Sequence, residues 1–449
     1  SAVRLWDLSS GEVLASAGAM KPQIRFGEDL MSRVSYAMLN DEGAEQMTQV
    51  VRKAINDLIA QSAQQAQVEP ADLLELTLVG NPVMHHLLLG LDPRPLGQAP
   101  FSLATDQAVE VFASDLDIHL HPGARAYILP CIAGHVGADT AAVLLAETPW
   151  DSEDVTLIVD VGTNAEIVLG SREKLYAASS PTGPAFEGAQ ISGGQRAAPG
   201  AIERVRIDPQ TLEPRFKVIS SELWSDDPEF FQRPGPPGVT GICGSGIIEA
   251  VAQLYLTGIL GSDGVINGAT SERTDRVEIS GRTFSYLLHQ GEPEIRIQQT
   301  DVRAIQLAKA ALYAGAQLLM NRMGVDKVDR IRLAGAFGSH IDVKYAMVLG
   351  MLPDCDLGQV SAAGNAAGTG ARIALLNKSS RLEIEHRVRE IEKVETAVDT
   401  DFQQHFIDAM GIPHSAHPYQ ILRGTVDLPA GSGAAAATGG KRRRRSRSR

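Results

Sequence analysis

Leu157–Gly170 reads LIVDVGTNAEIVLG. It is an apolar strand, a tight polar turn and a second apolar strand, with one carboxylate, Asp160, near the end of the first strand. A packed hairpin needs only the turn, whereas a phosphate site needs both turn and acid. Gly162 permits positive φ and leaves no side chain above the turn. Backbone N–H groups of Gly162, Thr163 and Asn164 facing one anion would form a nest, with the Thr163 hydroxyl and Asn164 amide as further donors. Asp160 would repel a phosphate directly, so its expected partner is a hydrated Mg²⁺ or an attacking water. On these residues alone, plain hairpin and anion site stand as equal alternatives.

The flanks set the fold class. Before the stretch come a strand pair in AVRLWDLSSGEVLASAGA, two helical stretches with apolar residues at three- and four-residue spacing, the strand LLELTLVG, and a helix NPVMHHLLLG capped by Asn81 with Pro82 first. The strand AYILP then leads through CIAGH into the helix VGADTAAVLLAE, and the acidic TPWDSED marks a boundary near residue 150. After the stretch come KLYAASS, a Gly-rich segment at 181–200, strands at 201–207 and 215–220, a Pro/Gly loop RPGPPG, helices from Gly244 and over about 300–323, the strand RIRLAGAFG, and helices in DVKYAMVLGML and after AAGNAAG. Strands alternating with helices predict a layered α/β architecture. AYILPCIAGHVGADTAAVLLA and RIRLAGAFGSHIDVKYAMVLG share one rhythm, which suggests a duplicated fold with a cleft between lobes.

Composition excludes several classes. The 449 residues suffice for two or three domains and are 44% hydrophobic. No run of 18 apolar residues predicts a membrane span, and with no visible signal peptide the expected location is cytoplasmic. Cys131, Cys243 and Cys355 are far apart and odd in number, without CxxC or Cys/His spacing, so neither a disulfide framework nor a metal cluster is expected. The net charge is −13, and the closing KRRRRSRSR carries +7, which leaves −20 on the rest (−13 less 7). Nucleic acid is therefore not the expected partner of the folded part. The basic tail follows a small-residue linker and is expected to be disordered.

Further motifs are individually weak. LAGAFG ends an apolar strand in Gly335, Ala336, Phe337 and Gly338, where backbone lying flat against a planar ligand and close strand–helix packing both call for small residues. GNAAGTGAR and the GHVGADTAA segment open helices able to approach a second helix or a phosphate. GICGSGIIEA lacks the full dinucleotide fingerprint, and no P-loop sequence exists. Glu187 reads as a cleft acid or, preferably, as a helix-start carboxylate. His85 and His86 are adjacent on a predicted helix and point about 100° apart, which suits packing or capping better than a shared metal.

In order, GHVGADTAA, DVGTNAE, LAGAFG and GNAAGTGAR resemble the nucleotide-binding signature of the acetate kinase, sugar kinase, heat-shock ATPase and actin superfamily. More specifically, FGEDLMSRV, GNPVMHHLLLGLDP, DVGTNAEIVLG, GPAFEGA, GICGSGIIE, DVRAIQLAKAAL and LAGAFGSHID resemble the C-terminal ATPase part of reductive activators of corrinoid proteins. The resemblance implies a two-lobed, actin-like (ribonuclease H-like, duplicated) ATPase fold with a mixed sheet in each lobe. It implies lobes at 1–150 and 151–380, an α/β appendage at 381–428 and a linker with basic tail at 429–449. ATP and Mg²⁺ would lie between the lobes. Asp160 and Glu187 are the implied catalytic residues, with Asp160 holding Mg²⁺ through water. Gly137, Asp139, Gly162, Thr163, Asn164, Gly244, Ser245, Gly335, Ala336, Phe337, Gly338, Gly364 and Asn365 are the implied nucleotide-binding set.

Such activators use ATP to drive reduction of cob(II)amide to cob(I)amide on a corrinoid protein serving a methyltransferase, and a homodimer is plausible by the same resemblance. Their electron comes from a ferredoxin-like N-terminal domain with a two-iron, two-sulfur cluster, which this sequence does not contain. The family's first phosphate turn and its strand are expected just ahead of AVRLWDL, so the isolated chain is expected to be a poor ATPase. Ala165 stands where the family usually has Gly, and AASSPTGPAFEGA and SGGQRA depart from its usual forms. The alternatives are a small-molecule kinase of the same superfamily, with Asp139 or Glu187 as base, and a non-catalytic corrinoid-protein binding module.

Overall fold

The computed structural model describes residues 2–19, 22–27, 29–230 and 238–429; most of the RPGPPG loop and the basic tail lie outside these. The chain opens with an antiparallel pair, β1 (Ala2–Trp6) and β2 (Val13–Gly18). Helices α1 (Leu30–Leu39) and α2 (Gly43–Ala66) follow, then β3 (Glu75–Leu78) and α3 (Pro82–Leu89). The Asn81 side chain accepts from the Met84 N–H, and Gly90 ends α3 in the left-handed region, as a helix stop favours. Next come β4 (Val109–Phe112), β5 (Arg125–Ile128) and α4 (Ala138–Glu147). β3, β5 and β4 form a three-stranded mixed sheet in that order.

The opening stretch forms β6 (Thr156–Val161) and β7 (Ala165–Gly170), continued by β8 (Leu175–Ser180). Then come β9 (Ala201–Ile207), β10 (Pro214–Val218), β11 (Gly241–Ile242), α5 (Gly244–Leu256), β12 (Val277–Ser280), β13 (Thr283–His289), β14 (Ile295–Gln298) and α6 (Gln299–Met323). β15 (Arg330–Ala334), α7 (Gly335–His340), α8 (Val343–Leu349), β16 (Val360–Gly364), α9 (Ala366–Leu376), α10 (Lys378–Glu390), β17 (Glu392–Lys393), α11 (Phe402–Asp408) and α12 (Gln420–Arg423) complete the chain. RIRLAGAFG is therefore not one strand: β15 stops at Ala334, and Gly335, with φ +80°, turns the chain into α7.

Two compact units result. The first comprises residues 1–184, 315–341 and 358–402, and the second 185–314, 342–357 and 403–449. The first unit is built on a six-stranded sheet ordered β16-β15-β6-β7-β8-β17. β6, β7 and β8 are an antiparallel meander, while β15, β16 and β17 join in parallel, so the sheet is mixed. One face packs Ile158, Val168 and Ala177 against Ala141, Leu144 and Leu145 of α4, Ala374 of α9 and Ile384 and Val388 of α10. Leu157, Val159 and Ile167, on the other face, are also fully buried. A strand covered on both sides needs a near-continuous apolar run, which is why β6 shows no polar alternation and why Asp160 stands out.

In the second unit β9 lies between β10 and β11, and β12, β13 and β14 form an antiparallel sheet of their own. α5 lies so close to β9 that a side chain at Gly246 would overlap the Ile202 carbonyl. Glu249, fully buried on α5, is held by Arg204 (2.8 Å), Arg206 (2.5 Å) and the Val205 N–H (2.8 Å). Among the described residues no helix is long and apolar enough to cross a membrane.

Candidate functional site

The β6–β7 register pairs Asp160 with Glu166 and Val161 with Ala165, which leaves Gly162, Thr163 and Asn164 as the turn. The Gly162 N–H donates to the Asn164 carbonyl at 3.0 Å, and Gly162 is not in the left-handed region. The three-donor nest expected from the sequence is corrected on that point, since one of its N–H groups closes the turn instead. Thr182 holds the loop from outside, its hydroxyl reaching the carbonyls of Gly162 and Thr163, each at 3.1 Å.

Asp160 is the half-buried residue of β6, between the buried Val159 and Val161. Burial, and then the nearby Asp139 carboxylate, push its pKa up from 3.8 to about 6. β15 pairs in parallel with β6 so that Ala334 lies opposite Asp160, and Gly335 follows at once. A Cβ on Gly335 would overlap Asp160 Oδ1. The missing side chain thus makes room for the carboxylate, a role for this glycine that the flat-strand expectation did not contain. Gly338 packs α7 onto β15, where a Cβ would meet the Leu333 carbonyl carbon at 2.8 Å. Ala336 and Phe337 lie between them in α7.

Asp139 sits in the first turn of α4, with Gly137 as the residue before the helix. Gly137 has no room for a side chain, since a Cβ would lie 2.7 Å from both Asp139 Oδ1 and the Gly80 carbonyl. Gly364, with φ +63° and open space around it, ends β16, and Asn365 caps α9 by accepting from the Gly368 N–H at 3.0 Å. Further along α9, a side chain at Gly370 would overlap the Ala142 carbonyl, so part of this Gly-rich segment serves helix–helix packing against α4.

The first unit therefore brings Asp139, Asp160 and Gly335 together. Glu187, Gly244 and Ser245 belong to the second unit. Glu187 lies in the first and only turn of a short 3-10 helix, Pro184–Glu187. Gly244 opens α5, and the buried Ser245 hydroxyl lies 3.3 Å from Cys243 Sγ. All three cysteines are buried, and burial pushes the Cys131 thiol up to about 12. His86 is a buried bracket, Nδ1 at 2.9 Å from the Pro82 carbonyl and Nε2 accepting from the Ala104 N–H. The sequence reading missed Thr182 and also Asp301, a buried carboxylate that accepts from the Ser192 and Gln298 N–H groups at 2.8 Å each. Thr182 lies in the polar run SSPTG and Asp301 opens the DVRAIQLAKAAL block, and those are the signals that pointed to them.

Residues 154–423 match the family described as the C-terminal domain of RACo, the ASKHA domain, and residues 2–148 match the RACo middle region. This chain belongs to the RACo family. The RACo ASKHA domain is of an actin-like, ATP-binding fold class, in agreement with the mixed α/β sheets. The chain is 34% identical over 415 residues to the corrinoid activation enzyme RamQ of Eubacterium limosum, covering 90% of this chain and 67% of that protein. It is 26% identical over 397 residues to a [Co(II) methylated amine-specific corrinoid protein] reductase of Methanosarcina barkeri, covering 84% and 68%. A solved reductive activator for corrinoid, iron–sulfur protein superposes with a TM-score of 0.78 at 33% identity, covering 92% of this chain and 64% of that one. The chain thus spans about two thirds of the length of the relatives it matches.

Proposed function

We propose that this RACo-family chain is the ATP-binding part of a corrinoid activator, in which ATP drives reduction of cob(II)amide to cob(I)amide on the corrinoid protein of a methyltransferase system. The observation that carries the reading is the Asp160–Asp139 pair, set against a glycine that leaves room for the carboxylate. Two crowded, poorly solvated carboxylates are costly when both are ionised, and a divalent cation relieves that cost. Among the described residues no group of three or more His, Cys, Asp or Glu side chains is placed to hold a metal. A pair of carboxylates suits Mg²⁺, which keeps several waters and takes one or two carboxylates plus phosphate oxygens. Asp160 and Asp139 would hold the ion, which when bound neutralises phosphate charge. Thr163, Asn164, Gly137, Gly364 and Asn365 would border the phosphates, and Gly335–Gly338 the adenosine.

Reduction of cob(II)amide is uphill for an ordinary ferredoxin. A difference in nucleotide affinity between two conformations of the activator supplies the shift. The test is calorimetric titration of Mg·ATP into the chain and its Asp160→Asn variant, with cob(I)amide formation on a corrinoid protein followed spectroscopically under a low-potential one-electron reductant. Weakened Mg·ATP binding in the variant and ATP-dependent cob(I)amide formation are expected. Equal binding by both proteins, or cob(I)amide formation indifferent to ATP, overturns the reading.

A further inference from the structure

In the DVRAIQLAKAAL block, Gln306 and Lys309 are buried on α6, and the buried Tyr313 follows directly after it. Spacings of three and four residues put all three on one face of the helix. That face binds one segment of the chain. Gln306 Nε2 donates to the Met410 carbonyl at 2.8 Å, and Lys309 Nζ donates to the carbonyls of Gly411 and Pro413. The Tyr313 hydroxyl lies 2.6 Å from His417 Nδ1. The segment is fastened elsewhere too. The Ile412 N–H donates to the Ser262 carbonyl at 2.8 Å, the Tyr419 hydroxyl donates to the Leu352 carbonyl, and Asp354 accepts from the Ile421 and Leu422 N–H groups. A side chain at Gly350 would overlap the Pro413 carbonyl. Residues 410–422 thus form a strap over Gln306–Tyr313 of α6, built wholly within the second unit.

Two imidazoles sit at the centre of the strap. His414 is 3% exposed, and its ring stacks on that of His417 with centroids 4.3 Å and planes 7° apart. The Tyr313 ring lies against both. His414 Nδ1 accepts from the Ala416 N–H at 3.0 Å and from the His417 N–H at 2.9 Å. A ring nitrogen that accepts carries no proton, so these two bonds need His414 neutral. The titratable groups facing the pair are Lys309 and Tyr313 from α6 and His405 and Asp408 from α11, with Tyr419 and Asp354 beside Tyr313. Burial, then His417, Lys309 and His405, hold His414 down from 6.5 to about 3. Burial and His405 outweigh Asp408 and keep His417 below its ordinary value as well.

We propose that the strap is an acid-released latch, closed while His414 is neutral and opened by a proton on its Nδ1. Bound there, the proton sets a donor against two backbone N–H groups and puts a cation into a buried stack. It comes from solvent and returns there on closing, with no covalent change. An open strap takes up a proton at His414 below its ordinary 6.5, whereas the closed strap refuses it down to about 3. The latch is therefore fully stable above the ordinary value and loses stability as pH falls through that window. His414 alone raises the opening constant about tenfold for each pH unit below about 6. Burial also holds the Lys309 amine well below its ordinary value, so Lys309 adds a slope that begins at higher pH, and the part due to His414 is read as a difference. Opening exposes Gln306, Lys309 and Tyr313 to water and so turns a buried face of α6 into an accessible one.

The test needs neither nucleotide nor corrinoid protein, so it fails or succeeds independently of the ATP reading. Amide hydrogen exchange of the full chain is followed from about pH 8 to about pH 5, each rate being divided by its intrinsic value. At Ile412, Ala416, His417, Ile421 and Leu422 the opening constant is expected to rise by about tenfold or more per pH unit below about pH 6, while β6–β8 stay protected. His414→Asn offers Oδ1 as the acceptor in place of Nδ1 and does not titrate. Its slope is expected to be lower by about tenfold per pH unit, with circular dichroism showing it folded. C2–H exchange of the His414 ring in the unsubstituted chain is the second measurement, and it decides the matter should the variant leave the strap open at every pH. The closed-strap ring is expected to stay neutral to about pH 5. Strap amides that share the pH dependence of β6–β8, a slope unchanged in a folded His414→Asn, or a ring that titrates at its ordinary value while the strap stays protected overturns the proposal.

Discussion

Replacing Asp160 by Asn should make the nucleotide-free protein more stable, not less. The folded-state pKa of Asp160 is raised from 3.8 to about 6, by burial first and by Asp139 second. Below about pH 3 the carboxyl is largely neutral in both folded and unfolded chains, and the site costs nothing. As pH rises from about 4 to 6 the unfolded chain releases its proton while the folded one holds it, and stability falls throughout that window. Above it the full penalty applies. At about 1.4 kcal/mol per pKa unit over about two units, this is roughly 3 kcal/mol near neutral pH. An isosteric amide removes the charge and with it the penalty. For a unit of this size, each kcal/mol moves the midpoint by about 2 °C, so Asp160→Asn should melt roughly 6 °C higher at about pH 8. The two proteins should converge near about pH 3. The assay is thermal unfolding of both proteins at several pH values without nucleotide, followed by Mg·ATP titration. Gained stability and weakened Mg·ATP binding together would mark a residue kept for function at the expense of the fold. A variant that melts no higher at pH 8, or a gap that does not close on acidification, would refute the burial argument.

Gly335→Ala should be destabilised by about 1–2 kcal/mol from its left-handed φ alone, and the displaced Asp160 carboxylate should weaken Mg·ATP binding, read by calorimetry. Thr182→Val removes the hydroxyl that reaches the Gly162 and Thr163 carbonyls; it should cost about 1 kcal/mol and speed amide exchange across 162–164. Glu249→Ala leaves Arg204 and Arg206 without their buried partner and should cost about 3–5 kcal/mol, measured by urea unfolding.

Local chemistry was readable where a residue breaks the rule of its own element. An acid inside the apolar run of β6 signals a site because burial there has a cost, and Asn81–Pro82 signals a helix start because cap and φ preference coincide. The RACo resemblance, carried by several blocks in order, agreed with the family matches over 2–148 and 154–423. What stayed hidden depends on register between distant segments. Gly335 serves Asp160 only because β15 pairs in parallel with β6, across more than 170 positions of chain. The nest failed because the turn is short enough for the Gly162 N–H to be taken by Asn164. β4 and the β12–β14 sheet were not foreseen, since four-residue strands such as VEVF, VEIS and IRIQ carry too few periods to separate from loop.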